Sequence, residues 1–383
     1  MTKIAERTQN IPPFIVMDVL ERAHELARQG RDIIHLEIGE PDFKTPDCIC
    51  DAAKEAISRG ETHYTHSLGL LELREAICEH YHEKYRVNID PDRILVTSGT
   101  SPALFMVFAA LLEAGEEVIM TDPHYPCYPN FAEFLGARPS RVKGYEEDGF
   151  QLRPEGVKKN ISSKTRAILI NSPSNPTGNL LSKDRMAEIA QLGPPIISDE
   201  IYHGLVYGET EHSILEFTDN AFVLNGFSKN FAMTGWRLGY LIAPLKFIRP
   251  MQKVQQNFFI SAGSVSQWAG VAALKYAKED VERMRNVYDE RRKYMIKRVR
   301  ELGFGVSVEP AGAFYMLANA RHLTESSYDL AFEILEKANV GVSPGIDFGQ
   351  NAEGYLRFSY ANSLENIKEG LNRIERFLKS HGR

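Results

Sequence analysis

Apolar positions along the chain fall into two periodicities. Short, nearly continuous apolar runs, rich in β-branched and aliphatic residues, occur at Ile94–Thr97, Glu117–Thr121, Thr165–Asn171, Ile196–Asp199, Phe222–Gly226 and Gly239–Ile242. Helical patterns separate several of them, at Pro102–Ala114, Arg153–Asn160 and Lys183–Leu192. Strands that lack polar alternation are buried on both faces, and strands alternating with helices build mostly parallel sheets. The pattern therefore predicts an α/β fold: a large domain with a mostly parallel sheet covered by helices, plus a smaller α+β domain built from both termini. Val281–Leu302 reads as a long, highly charged helix linking the two. Gly305–Leu317 and Val340–Tyr360 read as the smaller unit, closed by a helix over Ser363–His381 and joined by Pro12–Gly30 from the other end. The expected division is residues 45–282 for the large domain and residues 1–44 with 283–383 for the small one. No internal repeat or low-complexity tract is present.

Composition narrows the function classes. At 383 residues the chain exceeds one ordinary core. With 43% hydrophobic and 25% charged residues it has a soluble globular profile. A net charge of -6 provides no basic field for nucleic acid or an anionic membrane. No apolar run can span a bilayer, and Met1–Asn10 lacks the apolar core of a signal peptide, so the cytoplasm is the expected compartment. Cys48, Cys50, Cys78 and Cys127 form no C-x-x-C pair and are expected to be free thiols, with no metal site.

Candidate chemistry collects at strand ends, where open α/β sheets bind ligands. Ile94–Val96 runs into Thr97-Ser98-Gly99-Thr100-Ser101-Pro102 and a helix. Ser101 is the expected N-cap and Pro102 the first helical residue, an arrangement that aims free N–H groups at an anion. It is neither a Walker loop nor a G-x-G-x-x-G turn. Asp199 and Tyr202 follow Ile196–Ser198; a carboxylate there is costly to bury unless paired. Lys229 stands just past Phe222–Gly226, where desolvation can turn it into an imine-forming amine, with Arg237 downstream to clamp a phosphate and Ser228 to donate to it. Asn175 lies in a loop with two X-Pro bonds, which can be cis. Arg357, flanked by apolar residues in Tyr355–Tyr360, needs an anion. Taken singly, each feature has an ordinary structural explanation: a cap, a strand end, a surface lysine, a turn.

Their order is the stronger signal. Gly99-Thr100, Asn175-Pro176-Thr177-Gly178, Asp199-Glu200-Ile201-Tyr202, Ser228-Lys229 with Arg237, and Arg357-Phe358-Ser359 resemble the class I/II aminotransferases of the aspartate-aminotransferase fold. Gly39-Glu40-Pro41-Asp42-Phe43 and the stretch from Tyr64 through Gly69 to Leu73-Arg74-Glu75-Ala76 extend the resemblance over nearly the whole chain. It implies a pyridoxal 5'-phosphate (PLP) enzyme moving the amino group of an L-amino acid to a 2-oxo acid by a ping-pong route. Lys229 would be the Schiff-base lysine and proton shuttle, and Asp199 the partner of the pyridine nitrogen. Asn175 and Tyr202 would bind the ring oxygen, and Tyr125 would stack on the ring. Gly99, Thr100, Ser228 and Arg237 would bind the phosphate, joined by Tyr64 from the neighbouring subunit of a homodimer. Arg357, with Asn175 and the backbone around Gly39, would grip the substrate carboxylate. One branch of the family carries a lysine where this chain has Ser101, so neutral or broad amino acids are expected over strict aspartate specificity, unless Arg22, Arg28 or Lys44 supplies the cation.

The main alternative retains the cofactor but makes the chain a C–S β-lyase; a decarboxylase is disfavoured by Arg357. A PLP-binding module on a DNA-binding domain is disfavoured by the short segment before Gly39. His63, His66, His80 and His82 are set aside as a solvated helix region, Trp236 as core, and the charged Val281–Leu302 helix as solvated surface.

Overall fold

A computed structural model describes residues 2–380 and 382. Seven strands form one sheet in the order Ile94–Thr97, Gly239–Ile242, Ala221–Gly226, Ile196–Asp199, Thr165–Asn171, Glu117–Asp122, Arg138–Lys143. Every neighbouring pair is parallel except the two that involve Gly239–Ile242. The apolar runs are continuous because successive side chains enter different cores. Ile94, Val96, Ile196, Val223, Tyr240 and Ile242 join one cluster, while Leu95, Ile197, Phe222, Leu224 and Leu241 join another on the opposite face. The helix Thr100–Leu111 packs into the second cluster through Ala103, Leu104, Val107 and Phe108.

Arg138–Lys143, an edge strand of charged residues and a proline, had no apolar signature to reveal it.

The smaller α+β unit has three antiparallel strands, Ser343–Pro344, Tyr355–Ser359 and Tyr315–Asn319, with Arg357 opposite Ser343 and Leu317. Both ends of the chain meet there: Ile34–His35 pairs in parallel with Val340–Gly341, and the Ser359 amide donates to the Leu36 carbonyl at 2.7 Å. The closing helix spans Leu364–Ser380; His381, its expected last residue, lies outside the described residues, as does Met1. Among the described residues no helix is long and apolar enough to cross a membrane.

Three expectations are corrected. The charged helix, observed as Lys278–Glu301, is not merely solvated. Its Val281 leans on the large core, and Tyr288, Met295, Ile296 and Val299 enter the small one, while buried Arg291 donates to Asp42 Oδ1 at 2.7 Å. The helix Leu71–Tyr85 carrying His80 and His82 likewise buries Leu73, Ile77, Tyr81 and Tyr85, and burial holds the His80 imidazole down at about 4. Trp236 is half-buried against the core, its indole N–H donating to Thr45 Oγ1 at 3.0 Å.

Candidate active site

The carboxyl ends of the parallel strands and the small unit enclose a cleft of about 410 Å3. Thr100, Tyr125, Asn175, Asp199, Tyr202, Ser228, Lys229, Arg237, Gly39 and Arg357 all line it, although they come from segments spread over 319 residues, from 39 to 357 inclusive. Tyr64 does not: it is 83% exposed and lines no part of the cleft.

The first wall is the start of the helix Thr100–Leu111. Its N-cap is Gly99, at φ +97°, rather than Ser101, and Pro102 is third in the helix. Glycine is required twice here. A Cβ on Gly99 would lie 2.7 Å from Arg237 Nη2, and one on Gly239 would lie 2.8 Å from the Gly99 carbonyl carbon and 3.0 Å from the Thr100 nitrogen. Gly239 pairs with Thr97 on one side and Gly226 on the other. The backbone can thus bring the helix start, Arg237 and the strand leading to Lys229 together. Unpaired first-turn N–H groups beside a guanidinium form an anion cradle.

Opposite stands Asp199, 7% exposed. Its Oδ2 accepts from the Tyr128 hydroxyl at 2.7 Å and its Oδ1 from the Ile201 amide at 3.2 Å. Burial nevertheless raises its pKa to about 6, so the carboxylate lacks a full counter-charge. The Lys229 amine donates to the Gly39 carbonyl at 2.5 Å. Burial lowers its pKa to about 8; Glu40 and Asp199 resist the shift, and Arg357 and Arg237 add to it.

Arg357 is 2% exposed. Nη1 donates to Asn175 Oδ1 at 2.9 Å, and Nη2 to the Glu37 carbonyl at 2.6 Å and Ser343 Oγ at 3.0 Å. Its guanidinium carbon lies 4.3 Å from the Tyr315 ring centroid and 4.7 Å from that of Phe348. All these acceptors are neutral, Nε has no partner, and no carboxylate of the described residues forms an ion pair with it. Such a buried cation awaits an anion.

Several lining residues escaped sequence reasoning. Tyr128 holds Asp199; Asn171 accepts from the Asn175 amide at 2.9 Å and donates to the Asp199 carbonyl at 3.0 Å; the Tyr315 and Tyr202 hydroxyls meet at 3.1 Å. Asn171, a polar residue closing an apolar strand, carried the same signal as Asp199. Phe14, Val16, Met17 and Leu20 supply an apolar wall from a helix whose pattern pointed only to packing. Both X-Pro bonds of the Asn175 loop, Ser172–Pro173 and Asn175–Pro176, are cis.

Comparison with known proteins decides what this arrangement belongs to. The model of the aminotransferase class I and II family matches residues 31–374. The chain belongs to that family. This aminotransferase is 43% identical, over 98% of its length and 99% of the relative, to a (5-formylfuran-3-yl)methyl phosphate transaminase of Methanocaldococcus jannaschii. It is 40% identical to an aspartate aminotransferase of Pyrococcus horikoshii, over 98% of this chain and 97% of that one. Its fold matches the solved aspartate aminotransferase from Thermus thermophilus with maleate at a TM-score of 0.94 and 36% identity, covering 98% of this chain and 100% of that one. The aminotransferase is PLP-dependent, and the residues present fit that cofactor: an amine, a buried undercompensated carboxylate and an anion cradle that a Cβ at Gly99 would obstruct share one cleft.

Proposed function

We propose that this aminotransferase moves the amino group of a neutral or broad range of L-amino acids to a 2-oxo acid by a ping-pong route, with Lys229 as the lysine that carries the cofactor. The observation behind this reading is that a desolvated amine, Lys229, and a buried cation that no carboxylate of the described residues contacts, Arg357, face the same cleft. Bound there, PLP supplies an electron sink for the pair left when a substrate Cα–H bond breaks. The rest falls to the protein. Asp199 offers its carboxylate to a protonated ring nitrogen, which would offset the desolvation that now raises its pKa. Gly99, Thr100, Ser228 and Arg237 hold the phosphate, Asn175 and Tyr202 the ring oxygen, and Tyr125 the ring face. Arg357 grips the substrate α-carboxylate, assisted by Asn175 and the backbone at Gly39, and so fixes which Cα bond stands perpendicular to the ring. Lys229, with a pKa near 8, can take the Cα proton and would deliver it to the cofactor carbon on the far side of the amino nitrogen, two bonds from Cα.

Preference for neutral donors is supported by the absence of a spare cation among the described residues of this chain that line the cleft. Ser101 lines the cleft where a lysine would reach a side-chain carboxylate, and Lys229, Arg237 and Arg357 are the only lysines or arginines among its described lining residues. Arg22 is engaged with Glu336 at 2.6 Å and Glu25 at 2.9 Å, and neither Arg28 nor Lys44 lines the cleft. With 2-oxoglutarate and pyruvate as acceptors, kcat/KM for aspartate is expected not to exceed that for alanine, valine and phenylalanine. An aspartate advantage of about a hundredfold would overturn the preference and leave the transaminase assignment standing.

The exposed Tyr64 supports a homodimer whose partner completes the phosphate site. Tyr64→Phe is expected to weaken cofactor binding roughly tenfold or more, as loss of a hydrogen bond to a charged group does. Equilibrium dialysis gives the affinity, and sedimentation gives the mass. A fully active monomer at assay concentration would contradict the reading.

A further inference from the structure

The helix Ile15–Arg28 starts without a cap of its own: Phe14 occupies the N-cap position and makes no side-chain capping bond. The first N–H groups of a helix have no partner within it. Here Asp347 takes two of them, accepting from the Ile15 amide at 3.1 Å through Oδ1 and from the Val16 amide at 3.2 Å through Oδ2. Asp347 stands 332 residues from Ile15, in the turn Gly345–Phe348 that leads toward the strand bearing Arg357. A carboxylate suits the positive end of a helix better than a neutral cap. Burial raises its pKa to about 6, while the two amides it accepts from, and Arg357, favour the charged form.

This helix carries the apolar wall of the cleft. Phe14, Val16, Met17 and Leu20 line the cavity, while Val19, Ala23 and Leu26 pack behind them against Leu335. Met17 remains 44% exposed, so the wall presents apolar surface that nothing in the chain covers. Burying a large apolar side chain there is worth roughly tenfold to a hundredfold in binding. That gain is available only if the wall is held in place before the substrate arrives.

We propose that Asp347 is a positioning residue for substrate selection: by capping the helix Ile15–Arg28 from a distant turn, it seats the wall of Phe14, Met17 and Leu20 over the cleft and favours amino donors with large apolar side chains. The proposal rests on reading the cleft as an amino-acid site. Loss of the cap releases the wall; because Asp347 also interacts electrostatically with Arg357, which would serve all donors alike, the effect of the wall is the part of the loss that large apolar donors suffer and small ones do not.

The test uses the holoenzyme. In Asp347→Ala, kcat/KM for phenylalanine is expected to fall about tenfold, the equivalent of one lost cap. The loss should lie in KM, and kcat/KM for alanine should stay within about twofold. Amide hydrogen exchange at Ile15 and Val16 should speed up by a similar factor. Asp347→Asn, which keeps one acceptor, should fall between. Phe14→Ala should lose the same selectivity with exchange at the two amides unchanged. Phenylalanine and alanine falling together, or unchanged protection of the two amides in Asp347→Ala, would overturn the proposal. If the wild-type enzyme used neither donor, the reading of the site would fail, and the exchange result would still decide whether Asp347 seats the helix.

Discussion

Lys229→Ala is expected to leave the protein folded but without covalently attached cofactor. The wild-type enzyme should show a visible absorption band that borohydride converts into a stable linkage, located by peptide mass at Lys229; the variant should yield no labelled peptide. Turnover should fall by roughly a thousandfold or more, because proton transfer by a placed base alone contributes about 100-fold to 10,000-fold. The reason lies in placement. A lysine in water is protonated at neutral pH and reacts poorly with carbonyls, whereas burial brings Lys229 to about 8 and leaves a useful fraction neutral. Lys229 lies outside the strand Ala221–Gly226, whose six residues are all buried, so truncating it removes none of that strand's own core side chains. Reducible, covalent cofactor on Lys229→Ala would refute the assignment.

Asp199→Ala is expected to lower kcat by roughly a thousandfold, the scale of about 4 kcal/mol for breaking a buried charge pair. Stability of the cofactor-free protein should change little. Its folded pKa, about 6, lies above the ordinary carboxylate value, so the fold disfavours the charge it carries near neutral pH. What the variant loses is the bond from Tyr128 at 2.7 Å and that from the Ile201 amide at 3.2 Å, each worth about 1 kcal/mol. Stopped-flow turnover and thermal unfolding without cofactor separate the two effects. Wild-type turnover would reduce Asp199 to an ordinary strand end.

The contrast between what was legible and what was not follows from range. The strands Ile94–Thr97, Thr165–Asn171, Ile196–Asp199 and Gly239–Ile242 occur as their apolar runs predicted, because burial on both faces writes itself into adjacent residues. The start of the helix after Thr97 was displaced. Ser101 and Pro102 follow common capping preferences, but the approach of Gly239 and Arg237 requires the turn at Gly99, which no local rule contains. Arg357 was visible as a charge in an apolar strand. Its neutral partners, the Glu37 carbonyl, the Ser343 hydroxyl and the Asn175 side chain, were not, because they arrive from three separate segments. The Asp347 cap was equally hidden: a missing capping residue before Ile15 is a local fact, but its replacement is encoded 332 residues later.

The placement of Ile94–Thr97 has a consequence for how the protein breathes. That strand is the sheet's margin, paired within the sheet only with Gly239–Ile242, which in turn borders the strand leading to Lys229; on its outer side the Val96 amide donates to the Leu68 carbonyl at 2.9 Å and the Val96 carbonyl accepts from Gln255 Nε2 at 3.2 Å. Marginal strands open locally at lower cost than central ones. When this one frays, Gly99 and Thr100 leave Arg237, and the anion cradle ceases to exist. A ligand anchored at both the cradle and Lys229 therefore acts as a staple across three strands. It binds only the closed arrangement and so suppresses opening in proportion to its occupancy. With the cofactor held as proposed, its loss and the opening of this edge would be one event seen from two sides.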